Sequence, residues 1–253
     1  MKRHAITDEL WKRIEGLLPG RAGTVGVTAK DNRLFIDAVN YRYKTGIPWR
    51  DLPERFGDFR VVHLRFSRWA KQGIWEKIFK VLSVDADHEE AMIDSTVVRA
   101  HQHSAGALKV EGDDQSIGRS KGGLSTKIHA TVDALGNPTG LYLTEGQACD
   151  LDGADALMPI LLKADSILAD KAYDADDRMI NPLRQAGKTI VIPPKKNRVT
   201  ERGYDKLIYK ARHLVENFFC KLKQYRAIAT RYDKTARNFL AAAYFTSSVI
   251  LAN

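Results

Sequence analysis

The chain has 253 residues, 44% of them hydrophobic and 28% charged, with a formal net charge of +9. That length supports a full core in two domains, or in one large domain with an appendage, and the composition is that of an ordinary soluble protein. No apolar run reaches membrane length, the opening MKRHAITDEL has no apolar signal-peptide core, and Cys149 and Cys220 form neither a disulfide framework nor a zinc pattern. A cytoplasmic protein with two small buried thiols is expected.

Residues 6–18, ITDELWKRIEGLL, predict an amphipathic helix capped by Thr7 and stopped by Pro19-Gly20. After the loop GRAGTVGV, a second helix spans about 30–44, and Gly46-Ile47-Pro48-Trp49 with Leu52-Pro53 marks a turn region. Two further helices cover 59–71 and 73–83, completing an all-α, helix-turn-helix-like segment over residues 1–84. In FRVVHLRFSRWAK, Val62, Phe66 and Trp69 alternate with Arg60, His63, Arg65, Arg68 and Lys71. This is the candidate for an element that enters a DNA groove, with Arg60, Arg65 and Arg68 as contacts. Trp49, Trp69 and Trp75 are read as core.

From Glu89 the period changes. AMIDSTVVRA is rich in β-branched residues and predicts a strand, followed by a glycine-rich polar loop over 101–123. Strands at 126–133 and 139–145 flank a turn at Gly136-Asn137-Pro138. Then follow a helix (152–163), a short strand (166–170), a helix (175–187), a strand (189–192), the basic loop PPKKNRVTERG and a helix over 209–223. A final helix, 235–252, is apolar nearly all round and should be buried. The order β-β-β-α-β-α-β-α predicts a ribonuclease-H-like α/β domain over 85–253, with a mixed five-stranded sheet.

Charge is segregated along this order. Residues 1–84 carry 17 Lys/Arg against 9 Asp/Glu, residues 85–194 carry 10 against 18, and residues 195–237 carry 13 against 4. An acidic middle between basic flanks suits a carboxylate site held on a polyanion, and nucleic acid is the favoured partner.

Asp94 lies inside an apolar strand, where a charge is costly without a partner. Asp170 ends the short strand before it. In the 209–223 helix, Tyr209, Arg212, Glu216 and Lys223 fall within a sector about 60° wide at about 100° per residue. Three hard oxygen donors suit Mg²⁺ or Mn²⁺ rather than zinc. A pair of such ions serves phosphodiester chemistry. The competing reading is structural: Asp94 accepts backbone hydrogen bonds, Asp170 caps a turn, and the helical stripe is an ion-paired surface. His129 and Lys127 alternate on a strand beside Asp94 and are candidates to touch DNA; His101 and His103 are loop residues near the cleft. Asp174, Asp176 and Asp177 suit a helix start. Lys195, Lys196, Arg198 and Arg202 in the basic loop are candidates to meet phosphates.

These segments carry a resemblance. AMIDSTVVRAH around Asp94, GGLSTKIHATVD at 122–133, ILADKAYD around Asp170, and the spacing Tyr209-x2-Arg212-x3-Glu216-x6-Lys223 are similar to the DDE transposases of bacterial insertion sequences, in the group numbered four and five. GIPWRDLP at 46–53 resembles the leader domain of that family. The resemblance implies that Asp94, Asp170 and Glu216 ligate two Mg²⁺ ions, with Mn²⁺ able to substitute. It implies that Tyr209, Arg212 and Lys223 contact DNA near the scissile phosphate. It further implies release of a 3′-hydroxyl at each element end and its attack on target DNA, by a homodimer on double-stranded DNA with no nucleotide cofactor. The 46 residues from Asp170 to Glu216 are filled by a helix, a strand and a loop, unlike relatives with a large β insertion there. A nuclease of the same fold without strand transfer, and a silent DNA-binding repressor, are the alternatives; the basic N-terminal segment argues against the first and the intact carboxylate set against the second.

Overall fold

The protein's structure is a computed structural model describing residues 4–21, 23, 28–106, 115–198 and 202–252. Four helices come first: α1 (Asp8–Ile14), α2 (Asn32–Thr45), α3 (Phe59–Lys71) and α4 (Ile74–Leu82). Thr7 and Asp31 cap the first two, accepting from Leu10 N and Leu34 N. The first helix is shorter than its periodicity predicts, because the chain tightens into a 3-10 turn over Glu15–Leu17. Gly46 ends α2 in the left-handed region at φ 78°, and a Cβ there would stand 2.7 Å from Arg226 Cβ. Only glycine meets both demands. The buried side of α3 is the expected set, Val62, Phe66 and Trp69. Trp69 packs against Phe35 and Trp75 with ring centroids 5.0 and 5.4 Å apart.

The sheet is built from β1 (Glu90–Ala100), β2 (Gly118–Ser120), β3 (Gly123–Asp133), β4 (Pro138–Glu145), β5 (Ser166–Leu168), β6 (Thr189–Val191) and β7 (Thr230–Arg231). Its remaining helices are α5 (Asp150–Leu161), α6 (Asn181–Gln185), α7 (His213–Lys223), α8 (Arg226–Ala229) and α9 (Ala236–Leu251). β3 runs antiparallel to β1 and β4, whereas β5 and β6 continue parallel on the other side of β1. The five principal strands thus lie in the order β4-β3-β1-β5-β6, the mixed sheet of a ribonuclease-H-like fold. Two short strands raise the expected five to seven: β2 pairs with β3, and β7 runs parallel to the end of β1. Gly118–Ser120 and Thr230–Arg231 lack the apolar run that marks the equally short β5 and β6, so only pairing reveals them. Residues 107–114 of the glycine-rich loop, 22 and 24–27 of the first loop, and 199–201 of the basic loop lie outside the described residues.

Two other expectations change. The helix predicted over 175–187 is a π turn (Asp176–Ile180) followed by α6, whose start holds Pro182, a residue with no N–H to continue the ladder. Cys149 and Cys220 are exposed rather than buried: Cys149 is the N-cap position of α5, and Cys220 lies on the open side of α7.

One core joins the N-terminal helices, α7, α9 and one face of the sheet; a second lies between the opposite face and α5. α9 is buried as its all-round apolar pattern predicts, with Phe245 against Trp75 at 5.3 Å. Among the described residues, no helix is long and apolar enough to cross a membrane.

Candidate active site

The pleat of β1 sends successive side chains to opposite faces. Asp94 and Thr96 meet α7 and the turn before it, whereas Ser95 turns toward α5. The parallel register of β1 and β5 pairs Met92 with Leu168. Two residues further along each chain, Asp94 and Asp170 come side by side where β5 leaves the sheet. Asp170 also caps the next turn, accepting from Ala172 N at 2.7 Å.

The third carboxylate arrives on α7. Tyr209 and Arg212 are not yet in α-helix; they occupy a 3-10 turn, Ile208–Arg212, that runs into α7 at His213. Arg212 Nη1 donates to Asp94 Oδ2 at 2.9 Å, and its Nη2 donates to Glu216 Oε1. One guanidinium therefore links two of the three carboxylates. Lys223 Nζ donates to Thr96 Oγ1 at 2.6 Å and to Val97 O at 3.3 Å, placing a second cation on β1 beyond Asp94.

Burial pushes the Asp94 carboxyl above its ordinary range; the Ser95 N–H and Arg212 pull it back, while Asp170 and Asp150 push it further up. Burial opposes the charge of Arg212, but Asp94 and Glu216 hold it more firmly protonated than usual. Burial also raises the Tyr209 phenol and lowers Lys223. The result is a shallow acidic site in which each anion has a cationic or backbone partner and Tyr209 stays a neutral donor.

All donors are hard oxygens, and a cation already sits against Asp94 and Glu216, so the chemistry of the set fits a hard divalent ion. As arranged, with Arg212 between Asp94 and Glu216, no group of three His, Cys, Asp or Glu side chains among the described residues encloses an ion. The fit is that of an open site in which Arg212 must give way.

Several expected contact residues are placed elsewhere. Lys127 and His129 pair with Val97 and Ser95 across β3, so they share the face of Ser95, away from Arg212 and Lys223. Lys127 Nζ bonds Asp150 at 2.8 Å and Ala148 O at 2.6 Å, and fully buried His129 bonds Thr144 at 2.8 Å. Both are buried there, on the side of the sheet that faces α5. Ser95 Oγ donates to the same Asp150 oxygen at 2.6 Å, forming a polar knot directly behind Asp94. Asp150 and Ser95 went unnoticed in the sequence; the signal was Lys127, a charge in an apolar strand that required an anion.

In the basic loop, Arg198 and Arg202 each bond buried Asp174 at 3.0 Å, Arg198 also bonds Asp176, and Lys195 N donates to Asp174 at 2.8 Å. Arg198 is thus committed within the chain, and Asp174 organises a loop rather than capping a helix. Lys196 is exposed. On α3, Arg60 and Arg68 are exposed, whereas half-buried Arg65 lies over Phe35 and Trp69 at 4.3 and 4.7 Å. Val61 and Leu64 stand out from the same helix at 64% and 60% exposure.

Residues 85–248 match the family described as "Transposase DDE domain", and residues 6–79 match one described as "Putative transposase of IS4/5 family". The chain is 48% identical over 109 residues to "Uncharacterized protein y4sN" of Sinorhizobium fredii, a match covering 42% of this chain and 86% of that one. It is 35% identical over 127 residues to "Putative transposase for insertion sequence element IS6501" of Brucella ovis, covering 50% of this chain and 98% of the relative. Among solved structures, a piggyBac transposase synaptic complex with hairpin DNA is similar at 13% identity and a TM-score of 0.49, over 98% of this chain and 72% of that one. A pre-cleavage Mos1 transpososome is similar at 9% identity and a TM-score of 0.28, over 96% and 84%.

Proposed function

The chain belongs to the family of DDE-domain transposases, metal-dependent enzymes that cut DNA and transfer its strands, and from that premise we propose that Asp94, Asp170 and Glu216 are its metal ligands. The observation that carries the assignment is the single guanidinium of Arg212 bridging Asp94 and Glu216, with Asp170 beside Asp94 in the parallel register. Carboxylates on β1 and α7, far apart in sequence, share one cation, and Asp170, just past the end of β5, stands beside the first. The occupants are Mg²⁺ ions, two per site, with Mn²⁺ as a substitute. When bound, they lower the barrier to in-line displacement at phosphorus by activating the attacking oxygen and stabilising the leaving one.

The chain's own residues supply the rest. Arg212 exchanges its carboxylate partners for a phosphate next to the cut, Tyr209 donates a hydrogen bond from its neutral phenol, and Lys223 holds the strand along β1. Exposed Lys196, with Lys195, extends the cationic track. Residues 1–84 recognise the terminal inverted repeats, with Arg60 and Arg68 of α3 toward the duplex, and residues 85–253 carry the chemistry. A homodimer holds both ends, and released 3′-hydroxyls attack target DNA.

The test is a labelled duplex carrying the DNA boundary that flanks this reading frame, incubated with Mg²⁺, with Mn²⁺ and with chelator. Wild type cuts at the boundary only with metal and then yields joined products. Asp94→Asn stays folded, binds the duplex at least as tightly because a negative charge near phosphates is gone, and does not cut. Cutting that ignores the boundary sequence would assign a nuclease instead, and unfolding of the variant would make Asp94 a structural residue.

A further inference from the structure

Beyond Met92, β1 loses its neighbour on one side. β5 pairs with it only over Glu90–Met92 and β7 only over Arg99–Ala100, while β3 follows the other edge from Ala91 to Arg99. Among the described residues, no strand pairs with segment 93–98 on the β5 side. Asp94 sits in that gap. A strand laddered on one edge alone leaves backbone groups unpaired on the other and lacks half of its lateral restraint. A metal ligand needs the opposite, a carboxylate held within about 0.5 Å of its working position.

Side chains behind the strand supply the missing restraint, and Ser95 is their pivot. Its N–H donates to Asp94 Oδ1 at 2.7 Å, and its Oγ, on the opposite face, donates to Asp150 Oδ1 at 2.6 Å. The first bond fixes the carboxylate against the backbone; the second fixes that stretch of backbone against α5. Asp150 is itself held from two directions. As the first residue of α5 it faces the positive end of the helix dipole. Lys127 of β3 donates to it at 2.8 Å and to Ala148 O at 2.6 Å, so one ammonium ties the start of α5 to the sheet. Lys127 stands opposite Val97 in the register and therefore diagonal to Ser95, and Asp150 joins the two. Largely buried ion pairs of this kind add little net stability, and their best-attested use is to fix register.

Resting on the reading of Asp94 as a metal ligand, we propose that Ser95, Asp150 and Lys127 are positioning residues that set the orientation of Asp94 and, through it, the affinity for the divalent ion. Residues that orient a ligand from behind are worth about 10- to 100-fold in metal affinity. Ser95→Ala is the cleanest probe, because it removes the Oγ bond yet leaves Asp150 paired with Lys127 and strands no charge.

The experiment titrates Mn²⁺ into the full chain without DNA and reads the free ion by electron paramagnetic resonance. Ser95→Ala binds about 10- to 100-fold more weakly than wild type, and Ser95→Thr, which returns the hydroxyl, recovers the affinity. In chelator, Ser95→Ala binds the duplex carrying the flanking boundary as tightly as wild type, because its DNA surface is intact. The Mn²⁺ concentration that half-saturates cutting rises by the same factor as the dissociation constant. The rate at saturating Mn²⁺ stays at the wild-type level, since Asp94 is then held by the ion it binds. The inference is overturned if Ser95→Ala binds Mn²⁺ like wild type, or if Ser95→Thr fails to recover the affinity. Weakened duplex binding by Ser95→Ala would also overturn it, by marking a defect of the fold. Asp94→Asn separates the inference from its premise. If Asp94→Asn loses Mn²⁺ and Ser95→Ala keeps it, only the positioning role falls. If wild type binds no Mn²⁺, or Asp94→Asn binds it equally well, the metal-ligand reading falls with it.

Discussion

At the scale of single residues, the two faces of β3 and β1 divide the chemistry. Asp94 faces α7 and is kept ionisable by Arg212 despite its burial, while His129, one pleat away, is driven the other way. Burial lowers His129 from 6.5 to about 4, and its Nδ1 has no partner among the described residues. Below pH 6.5 the unfolded chain binds a proton there that the folded chain refuses until about pH 4. Stability is therefore complete above that window and falls as pH drops through it, by about 3 kcal/mol in all. Urea midpoints measured at pH 7 and pH 4.5 should converge for His129→Gln relative to wild type; an equal loss in both proteins would show that His129 is not the group responsible. Nothing in the residues around His129 announced its burial. The alternation of Lys127 and His129 said only that they share a face, and which face depends on pairing with β1.

At the scale of elements, α5 is held against the sheet by the absence of a side chain. A Cβ on Gly153 would stand 2.1 Å from both Cγ and Nδ1 of His129. Alanine normally stabilises a helix interior over glycine by about 0.5–1 kcal/mol. Overpacking against a ring fixed in a central strand costs more, about 1–3 kcal/mol, so the clash wins. Gly153→Ala should lower the denaturation midpoint without altering the slope; a raised midpoint would show that α5 can slide away from β3. The longer elements were legible because each keeps one period over several turns or pleats. α3 buries the three residues its spacing selects, and α9 is apolar all round because every side of it touches protein. The failures share a cause. β2 and β7 lack the apolar run that marks the equally short β5 and β6, Pro182 breaks the helix predicted at 175–187, and Arg212 belongs to a 3-10 turn although it keeps the spacing to Glu216 that an ion pair requires.

At the scale of the whole molecule, the N-terminal helices and the sheet share one apolar core, and a buried polar joint reinforces it. Asp233, just after β7, accepts from Tyr43 Oη at 3.2 Å and pairs with Arg42 at 3.5 Å, both on α2. Asp233→Ala leaves the Arg42 charge buried without its anion and should cost about 3–5 kcal/mol. With the core continuous, unfolding followed by tryptophan fluorescence and by far-ultraviolet dichroism should shift together; separate transitions would show that residues 1–84 unfold alone. The sequence by itself determined the order of the longer elements, the spacing of the stripe from Tyr209 to Lys223 and the segregation of charge. Those are local properties, written in period, spacing and composition. Only the tertiary structure decided that Asp94 stands beside Asp170, that Arg212 links Asp94 to Glu216, and that Lys127, His129 and Arg198 turn inward to partners of their own. Each depends on strand register or helix docking between segments distant in the chain, and burying a charge or a ring in one place rather than another is settled by whichever partner the fold brings to it.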